Sequence, residues 1–197
     1  MDYLRTDLAP KKELENFNFI FHKRYDIKEI SSHVQEFDQE WLENTFRQNA
    51  TYPNRRNPHL YTNTFTVQDH SIDWEFGNKI ESTVLDQSSL SLVSNIVKDL
   101  EEFCNGVSGR ILFIKLLANS DVTEHTDKGD YLSTVRRFHI PLITNDRVSY
   151  TVNGETVQMR EGEAWEINNL KPHSVLNNGN EDRVHLLIDI FPNSNKN

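Results

Sequence analysis

The sequence predicts a mainly β fold with flanking helices, of the antiparallel sandwich or jelly-roll class. Residues 1–107 mix helical patterns with loops. Residues 108–192 contain one short apolar segment after another, with turn residues between them. Because short antiparallel strands of this kind form a sandwich or a jelly roll, we expect residues 108–192 to be the core of a single domain spanning residues 1–197. The helices ahead of this core should pack on one outer face of a sheet.

Two helical regions precede the predicted core. Residues 27–47 have apolar side chains near helical spacing and predict one or two helices, while residues 89–105 predict the clearest helix of the chain. The apolar side of that second helix is formed by Leu90, Leu92, Val93, Ile96, Val97, Leu100 and Phe103. Between the helices, residues 49–63 are rich in asparagine and proline and predict a loop. Residues 64–67 predict a short strand that enters a turn at Asp69.

The predicted core contains strands separated by recognisable turns. In chain order, the predicted strand regions are residues 110–117, 136–142, 148–159, 163–167 and 183–191. The third region is a hairpin, because Asn153-Gly154 is a strong signal for a two-residue turn. The last region is very apolar.

Charge and composition exclude several functional classes. The chain has 21 basic and 30 acidic residues, which gives a net charge of −9, and an acidic surface repels phosphate backbones and anionic membranes. No apolar run is long enough to cross a bilayer, and the polar first residues predict neither a secretory signal nor a membrane anchor. The single Cys104 cannot form an internal disulfide, and its amphipathic surroundings predict a buried structural thiol. We therefore expect a cytoplasmic protein.

Three side chains carry the first chemical signal. His125 and Asp127 are two positions apart, so in an extended segment both side chains leave the same face. His173 lies 46 positions beyond Asp127, between a proline and a serine, which suits a loop entering another strand. Two histidines and one carboxylate are the ligand set of a non-haem Fe(II) centre with open coordination positions. Taken singly, each signal is weak, since a lone histidine is more often a surface or core residue.

The last predicted strand carries the second signal. Period-two alternation places Arg183, His185 and Asp189 on one face of this strand, and a polar face within an apolar strand is costly unless it lines a functional cavity. Arg183 can bind a carboxylate bidentately, which is what an iron centre with a dicarboxylate co-substrate requires. The alternative is an interior ion pair of Arg183 with Asp189 or Glu163.

A matching pattern occurs in residues 136–142. Arg137 and His139 share one face of this strand, while its apolar residues share the other. Two strands that each present an arginine and a histidine to one interior would form a positively charged cup suited to a small dianion. The alternative is that His139 and His185 only form hydrogen bonds within the core.

These blocks, in this order, resemble a known family. The motifs are His125-Thr126-Asp127, Arg137–Leu142, Gly162–Asn169, His173-Ser174-Val175 and Arg183–Asp189. They resemble the aspartyl/asparaginyl β-hydroxylase-like proteins, including the bacterial proline cis-4-hydroxylases, over roughly residues 108–192. The resemblance implies a double-stranded β-helix, a cupin-like form of the jelly roll, and an enzyme that uses Fe(II), 2-oxoglutarate and O₂.

The resemblance also implies roles for individual residues. His125 and His173 match the two iron-binding histidines, and Arg183 matches the arginine that pairs with the distal carboxylate of 2-oxoglutarate. Arg137 and His139 match the other co-substrate contacts of the family. Asp127 marks a departure from the animal aspartyl hydroxylases, which lack this carboxylate, whereas the proline hydroxylase-like members keep it.

The substrate is much less constrained by the sequence. We expect hydroxylation of an amino acid or of an Asp, Asn or Pro-type side chain in a peptide or protein, with residues 1–107 shaping the substrate mouth. Residues 49–63 are a candidate lid, in which Arg55 and Arg56 could meet a substrate carboxylate; a plain surface loop is the alternative. Asn168, Asn169 and His185 are candidates for orienting the site. Two rival functions stay open, namely a cupin-type metal enzyme that does not use 2-oxoglutarate and a non-catalytic jelly-roll binding module.

Overall fold

Two antiparallel β-sheets form the framework of the protein, whose computed structural model describes residues 16–43, 45, 47–51, 56–73 and 79–193. The strands are β1 (Phe19–Arg24), β2 (Thr62–Asp73), β3 (Lys79–Val84), β4 (Gly106–Leu116), β5 (Ser120–His125), β6 (Arg136–Ile143), β7 (Val148–Val152), β8 (Glu155–Val157), β9 (Glu163–Ile167), β10 (His173–Asn177) and β11 (Arg183–Pro192). The helices are α1 (Lys28–Gln35), α2 (Gln39–Glu43), α3 (Gln87–Cys104) and α4 (Asp130–Thr134).

The two sheets are interleaved along the chain. The larger sheet has the order β1-β9-β6-β11-β4-β2-β3, and the smaller sheet has the order β5-β10-β7-β8. Successive strands therefore alternate between sheets from β4 to β7 and again from β8 to β11, as expected for a jelly roll. The predicted fold class, mainly β with flanking helices, is confirmed.

Apolar side chains form two cores on opposite faces of the larger sheet. One core joins α3 to this sheet, with Val93 and Leu100 packed among residues such as Phe113, Leu186 and Ile188. The other lies between the sheets and consists of Leu116, Val122, Val148, Tyr150, Val152, Met159, Ile167 and Val175. The helices thus cover one face of the larger sheet, as predicted, and leave the face between the sheets for the polar side chains described below.

Local signals account for the elements that the sequence predicted best. Helix α3 begins after Asp86, whose carboxylate accepts hydrogen bonds from the backbone N–H groups of Ser88 and Ser89, and it ends at Asn105 in the left-handed region with φ 46°. The β7–β8 hairpin turns at Asn153 and Gly154, which have φ values of 49° and 81°. Both predictions are confirmed.

The N-terminal part contributes more strand than the sequence predicted. Strands β1 and β3 were not predicted, and they are the two outer strands of the larger sheet. The turn predicted at Asp69 is wrong, because β2 continues to Asp73 and pairs with both β3 and β4. An outer strand pairs on one side only and is partly exposed; Phe21 of β1, for example, is 49% exposed. The sequence of such a strand therefore carries little hydrophobic alternation.

Two further predictions concern single features. Cys104 is buried, as predicted, and burial raises the pKa of its thiol to about 12. Within the described residues, no helix combines the length and the apolar character needed to cross a bilayer.

Candidate active site

Strand pairing brings the three predicted metal ligands together. His125 ends β5 and His173 begins β10, and these two residues face each other across the antiparallel pair. Asp127 follows two residues after β5, in the loop before α4. One ligand atom of each residue lies within 4.8 Å of the others, which is a distance that a single cation can bridge. In the described part of the chain, this is the one such group of histidine, cysteine and acidic residues.

Backbone carbonyls fix the orientation of both histidine rings. Nδ1 of His125 lies 2.8 Å from the carbonyl oxygen of Thr123, and Nδ1 of His173 lies 2.9 Å from that of Lys171. Since a carbonyl oxygen only accepts, each Nδ1 carries the proton and each Nε2 is left with its lone pair. This arrangement is typical of histidines that bind a metal through Nε2.

Hydrogen bonds also fix the carboxylate of Asp127, through its Oδ2 atom. Its Oδ2 accepts hydrogen bonds from Nη1 of Arg137 at 2.6 Å and from Nδ2 of Asn169 at 3.2 Å. The backbone N–H of Asp127 also donates to the carbonyl oxygen of Asn169, at 3.0 Å. Oδ1 faces Nε2 of His125 at 3.9 Å and is left for a cation. Asn169, predicted to orient the site, therefore contacts a predicted metal ligand directly.

Arg137 is held by a second carboxylate behind the predicted metal ligands. Its Nε and Nη2 donate to the two oxygens of Asp189, each at 2.8 Å, and the hydroxyl of Tyr131 donates to the same carboxylate at 2.8 Å. Arg137 lines the cavity, as predicted, but its donors face Asp189 and Asp127. These bonds use three of the five N–H groups of Arg137, and its contact with a co-substrate stays a prediction.

Charge and burial set the protonation of these ligands. Burial is the largest single effect and raises the pKa of Asp127, but Arg137, the two histidines and the hydrogen bond from Asn169 together lower this pKa to about 2. Burial lowers the pKa of His173 to about 4. At neutral pH, Asp127 is thus an anion and His173 is neutral, which are the forms that bind a metal.

The inner end of the cavity is formed by buried polar side chains of β6, β7 and β11. Arg183 is 3% exposed, and its Nη2 donates to Nδ1 of His185 at 2.5 Å. Its Nε has no hydrogen-bond partner in the described part of the chain, and none of the ion pairs found there involves Arg183. The two alternatives considered from sequence are excluded, because Asp189 pairs with Arg137 and Glu163 pairs with Arg24.

Two neutral histidines lie beside Arg183. Burial and the charge of Arg183 lower the pKa of both His139 and His185 well below the usual value. Since Arg183 donates to Nδ1 of His185, the proton of His185 is on Nε2, a buried donor that has no partner among the described residues. Nδ1 of His139 is also buried without a partner there, and its Nε2 lies 3.5 Å from the hydroxyl of Tyr150.

These groups line one cavity of about 680 Å³, which also holds the candidate metal ligands. That volume lies within the range of small-molecule sites, roughly 300–1,000 Å³. Unsatisfied donors around a buried guanidinium fit the carboxylate of a diacid such as 2-oxoglutarate, and the two histidines with Asp127 fit Fe(II). The four residues of the predicted cup, Arg137, His139, Arg183 and His185, all line this cavity. That they bind a small dianion stays a prediction.

The predicted lid, residues 49–63, contributes Ala50, Pro58, His59 and Thr62 to the lining of the cavity, and its role as a lid stays a prediction. Arg56 is exposed, donates to Asp121 at 3.2 Å and does not line the cavity, while Arg55 lies outside the described residues. The outer lining includes Arg47, Pro58, His59, Arg110, Lys128 and Leu132. Arg47 and His59 were not predicted as site residues, since neither belongs to a motif or to an alternating strand, although His59 lies within the candidate lid. Tyr131 and Tyr150 were not predicted either; their hydroxyls contact Asp189 and approach His139.

Known proteins share the sequence pattern and the fold. A family model described as aspartyl/asparaginyl beta-hydroxylase matches residues 68–192. A viral collagen prolyl hydroxylase from Paramecium bursaria Chlorella virus-1 has a TM-score of 0.54 at 9% identity, with 91% of this chain and 98% of that chain covered. A prolyl hydroxylase from Trichoplax adhaerens has a TM-score of 0.53 at 12% identity (91% and 86% covered). A 2OG-Fe(II) oxygenase family oxidoreductase from Burkholderia pseudomallei has a TM-score of 0.51 at 13% identity (87% and 94% covered). No curated protein has a sequence that matches this chain.

Proposed function

The chain belongs to the aspartyl/asparaginyl β-hydroxylase family, and we propose that it is a hydroxylase that uses Fe(II), 2-oxoglutarate and O₂ to hydroxylate an amino acid or an Asp, Asn or Pro-type side chain of a peptide or protein. The family match covers more than half of the chain, and the fold is that of the 2-oxoglutarate- and Fe(II)-dependent oxygenases. The cofactors, the residues that hold them and the substrate are the parts of this proposal that need a test.

One observation carries the proposal. A buried guanidinium, that of Arg183, has no carboxylate partner among the described residues and lies in the same cavity as three converging metal ligands. An uncompensated buried charge costs several kcal/mol, so a cation kept in this position indicates an anionic ligand. His185 supports this interpretation, because its Nε2 proton also has no partner there.

In this proposal, Nε2 of His125, Nε2 of His173 and Oδ1 of Asp127 hold the iron. When bound, iron and 2-oxoglutarate supply the oxidising power, while the protein supplies orientation and a dry cavity. The ring orientations of the histidines are set by backbone carbonyls, so that the ligand nitrogens are in place before the metal arrives. Arg137 and Asn169 have positioning roles, since both hold Oδ2 of Asp127.

Arg183, His139 and His185 bind the distal carboxylate of 2-oxoglutarate in this proposal. The guanidinium supplies charge and two or more N–H donors, and neutral His185 supplies a further N–H. Burial raises the pKa of Tyr150, so this side chain stays a phenol that can donate beside His139. Residues 1–107 shape the substrate mouth, which is supported by the presence of Arg47, Pro58 and His59 in the outer lining.

The experiment has two stages. Anaerobic titration of the protein with Fe(II) and then 2-oxoglutarate should produce the visible absorption band of their complex, and His173→Ala should abolish it. Admission of air should then yield iron-dependent succinate, with amino acids and peptides screened for the gain of one oxygen atom. Metal binding without an effect of 2-oxoglutarate would favour a cupin-type enzyme of another kind. Binding of neither would favour a non-catalytic module.

A further inference from the structure

A second arginine without an anionic partner lies at the outer end of the cavity. Arg47 belongs to the turn that follows α2, and it lines the cavity. Among the described residues, none of the hydrogen bonds or ion pairs engages its guanidinium, although the chain has 30 acidic residues. Burial lowers the pKa of Arg47 only to about 10, so the side chain is charged at neutral pH.

The turn that carries Arg47 is built into the protein. Nδ2 of Asn57 donates to the carbonyl oxygens of Arg47 and Gln48, at 2.6 and 3.0 Å. The side chain of Gln48 in turn donates to Asn63, a buried residue of β2, at 3.1 Å. Arg47 is thus presented by a turn that hydrogen bonds tie to the larger sheet, which limits the entropy that a bound anion would cost.

Asn57 also places a histidine beside Arg47 and the candidate metal ligands. Oδ1 of Asn57 accepts the backbone N–H of His59 at 2.8 Å, and the ring of His59 lies edge-on to that of His125 with centroids 5.1 Å apart. His59 also lines the cavity, so its ring can donate a hydrogen bond to an anion that Arg47 binds.

Arg47 and Arg183 reach the cavity from different elements, a turn after α2 and the strand β11. Arg110, another arginine of the lining, is already paired with Asp69 at 3.0 Å. Arg47 is therefore a second cation of the cavity, besides Arg183, that has no anionic partner among the described residues.

We propose that Arg47, assisted by His59, binds a carboxylate of the substrate. The enzyme then acts on amino acids or residues that present a free carboxylate and discriminates against those that have none. The proposal rests on the function proposed above. The carboxylate has two possible sources, the α-carboxylate of a free amino acid or the side chain of an aspartate within a peptide, and both offer Arg47 the same bidentate acceptor.

The test measures binding to the protein loaded with Fe(II) and 2-oxoglutarate in the absence of oxygen. The probes are the twenty free amino acids and the derivatives of aspartate, asparagine and proline that are blocked at both ends, by N-acetylation and C-amidation. Binding of each probe is followed by its effect on the visible absorption of the complex. We expect Arg47→Gln to weaken binding of the carboxylate probes on the order of 10- to 100-fold, with Arg47→Lys intermediate. Arg160→Gln, at an exposed position outside the cavity lining, should leave binding unchanged.

The probes separate the sources and the two proposals. Preference for free amino acids identifies the α-carboxylate, and preference for the blocked aspartate identifies the side chain. The proposal is overturned if a neutral blocked probe binds most tightly, if Arg47→Gln binds carboxylates as well as the parent does, or if no carboxylate probe binds. Arg47→Gln should still form the Fe(II)–2-oxoglutarate band, which checks its folding. Absence of that band in the parent protein would instead refute the function proposed above.

Discussion

Two buried arginines at opposite ends of one strand pair have opposite surroundings. Arg137 on β6 is enclosed by the carboxylates of Asp189 and Asp127, which accept hydrogen bonds from its Nε, Nη1 and Nη2. Arg183 on the neighbouring strand β11 contacts a neutral histidine and has no carboxylate partner among the described residues. Both line the same cavity and are at most 7% exposed, so burial alone does not distinguish them. The charge of Arg137 is thus balanced by carboxylates of the protein, whereas the charge of Arg183 is balanced only when an anion binds.

The largest effect should come from breaking the buried ion pair of Arg137 with Asp189. Arg137→Met leaves the carboxylate of Asp189, which is 0% exposed, without its ion-pair partner. We expect the free energy of unfolding of the metal-free protein to fall by about 3–5 kcal/mol in urea denaturation. The double variant Arg137→Met with Asp189→Leu should recover part of that loss, because it removes the buried charge as well. A single variant as stable as the parent would show that the enclosed ion pair contributes nothing to the fold.

The second effect concerns Arg183, which has no anionic partner among the described residues. Arg183→Gln should weaken 2-oxoglutarate binding on the order of 100-fold, because a buried charge-assisted contact is lost. The same change should leave the free energy of unfolding unchanged or raise it, since it removes a buried charge that has no anionic partner. Titration of the Fe(II)-loaded protein with 2-oxoglutarate and urea denaturation of the metal-free protein provide the two measurements.

A matched control uses an arginine whose ion pair is exposed. Arg24 donates to Glu163 at 2.7 Å, and its side chain is 57% exposed. Arg24→Gln should change stability by no more than about 1 kcal/mol and should leave 2-oxoglutarate binding intact. If Arg183→Gln behaves like this control in both measurements, Arg183 does not bind the co-substrate.

Much of this comparison could be predicted from sequence because it lies on strands. Alternation along Arg183–Pro192 places Arg183 and His185 on one face, and the structure has both in the cavity lining. The same argument placed Arg137 in the cavity. It could not identify the partner of Arg137, because register decides that Asp189 faces this residue across the β11–β6 pair. Alternation predicts the face of a side chain, whereas strand register determines its neighbours.

The rest of the site could not be predicted because it lies in turns. Arg47 and His59 follow no periodicity, and their positions depend on the hydrogen bonds that Asn57 makes to both backbones. Residues 49–63 were predicted as a lid because the stretch is loop-rich, polar and aromatic, and Arg56 was expected to meet a substrate carboxylate. Arg56 instead pairs with Asp121, while His59 of the same stretch lines the cavity. Composition shows that a loop can bind an anion, but tertiary contacts decide which of its side chains enters the cavity.

The smallest effect is expected at Asp127, the candidate metal ligand that Arg137 contacts. Asn169 and Arg137 both donate to Oδ2 of Asp127, so each contributes to holding this carboxylate. Asn169→Ala should weaken Fe(II) binding about 10-fold, at the low end for groups that orient a metal ligand, because Arg137 still holds the same oxygen. A competition titration against a chelator of known affinity measures this change.

The neighbouring Asn168 provides the control for that prediction. Its side chain is buried like that of Asn169, but it donates to the carbonyl oxygen of Phe17 and accepts from the N–H of Leu170. Asn168→Ala should therefore lower stability by about 1 kcal/mol without changing iron affinity. Equal losses of iron affinity in both variants would mean that general loosening of the β9–β10 connection, and not the bond to Asp127, explains the effect. A loss confined to Asn169→Ala would show that its hydrogen bond to Asp127 holds this carboxylate in place at the candidate metal site.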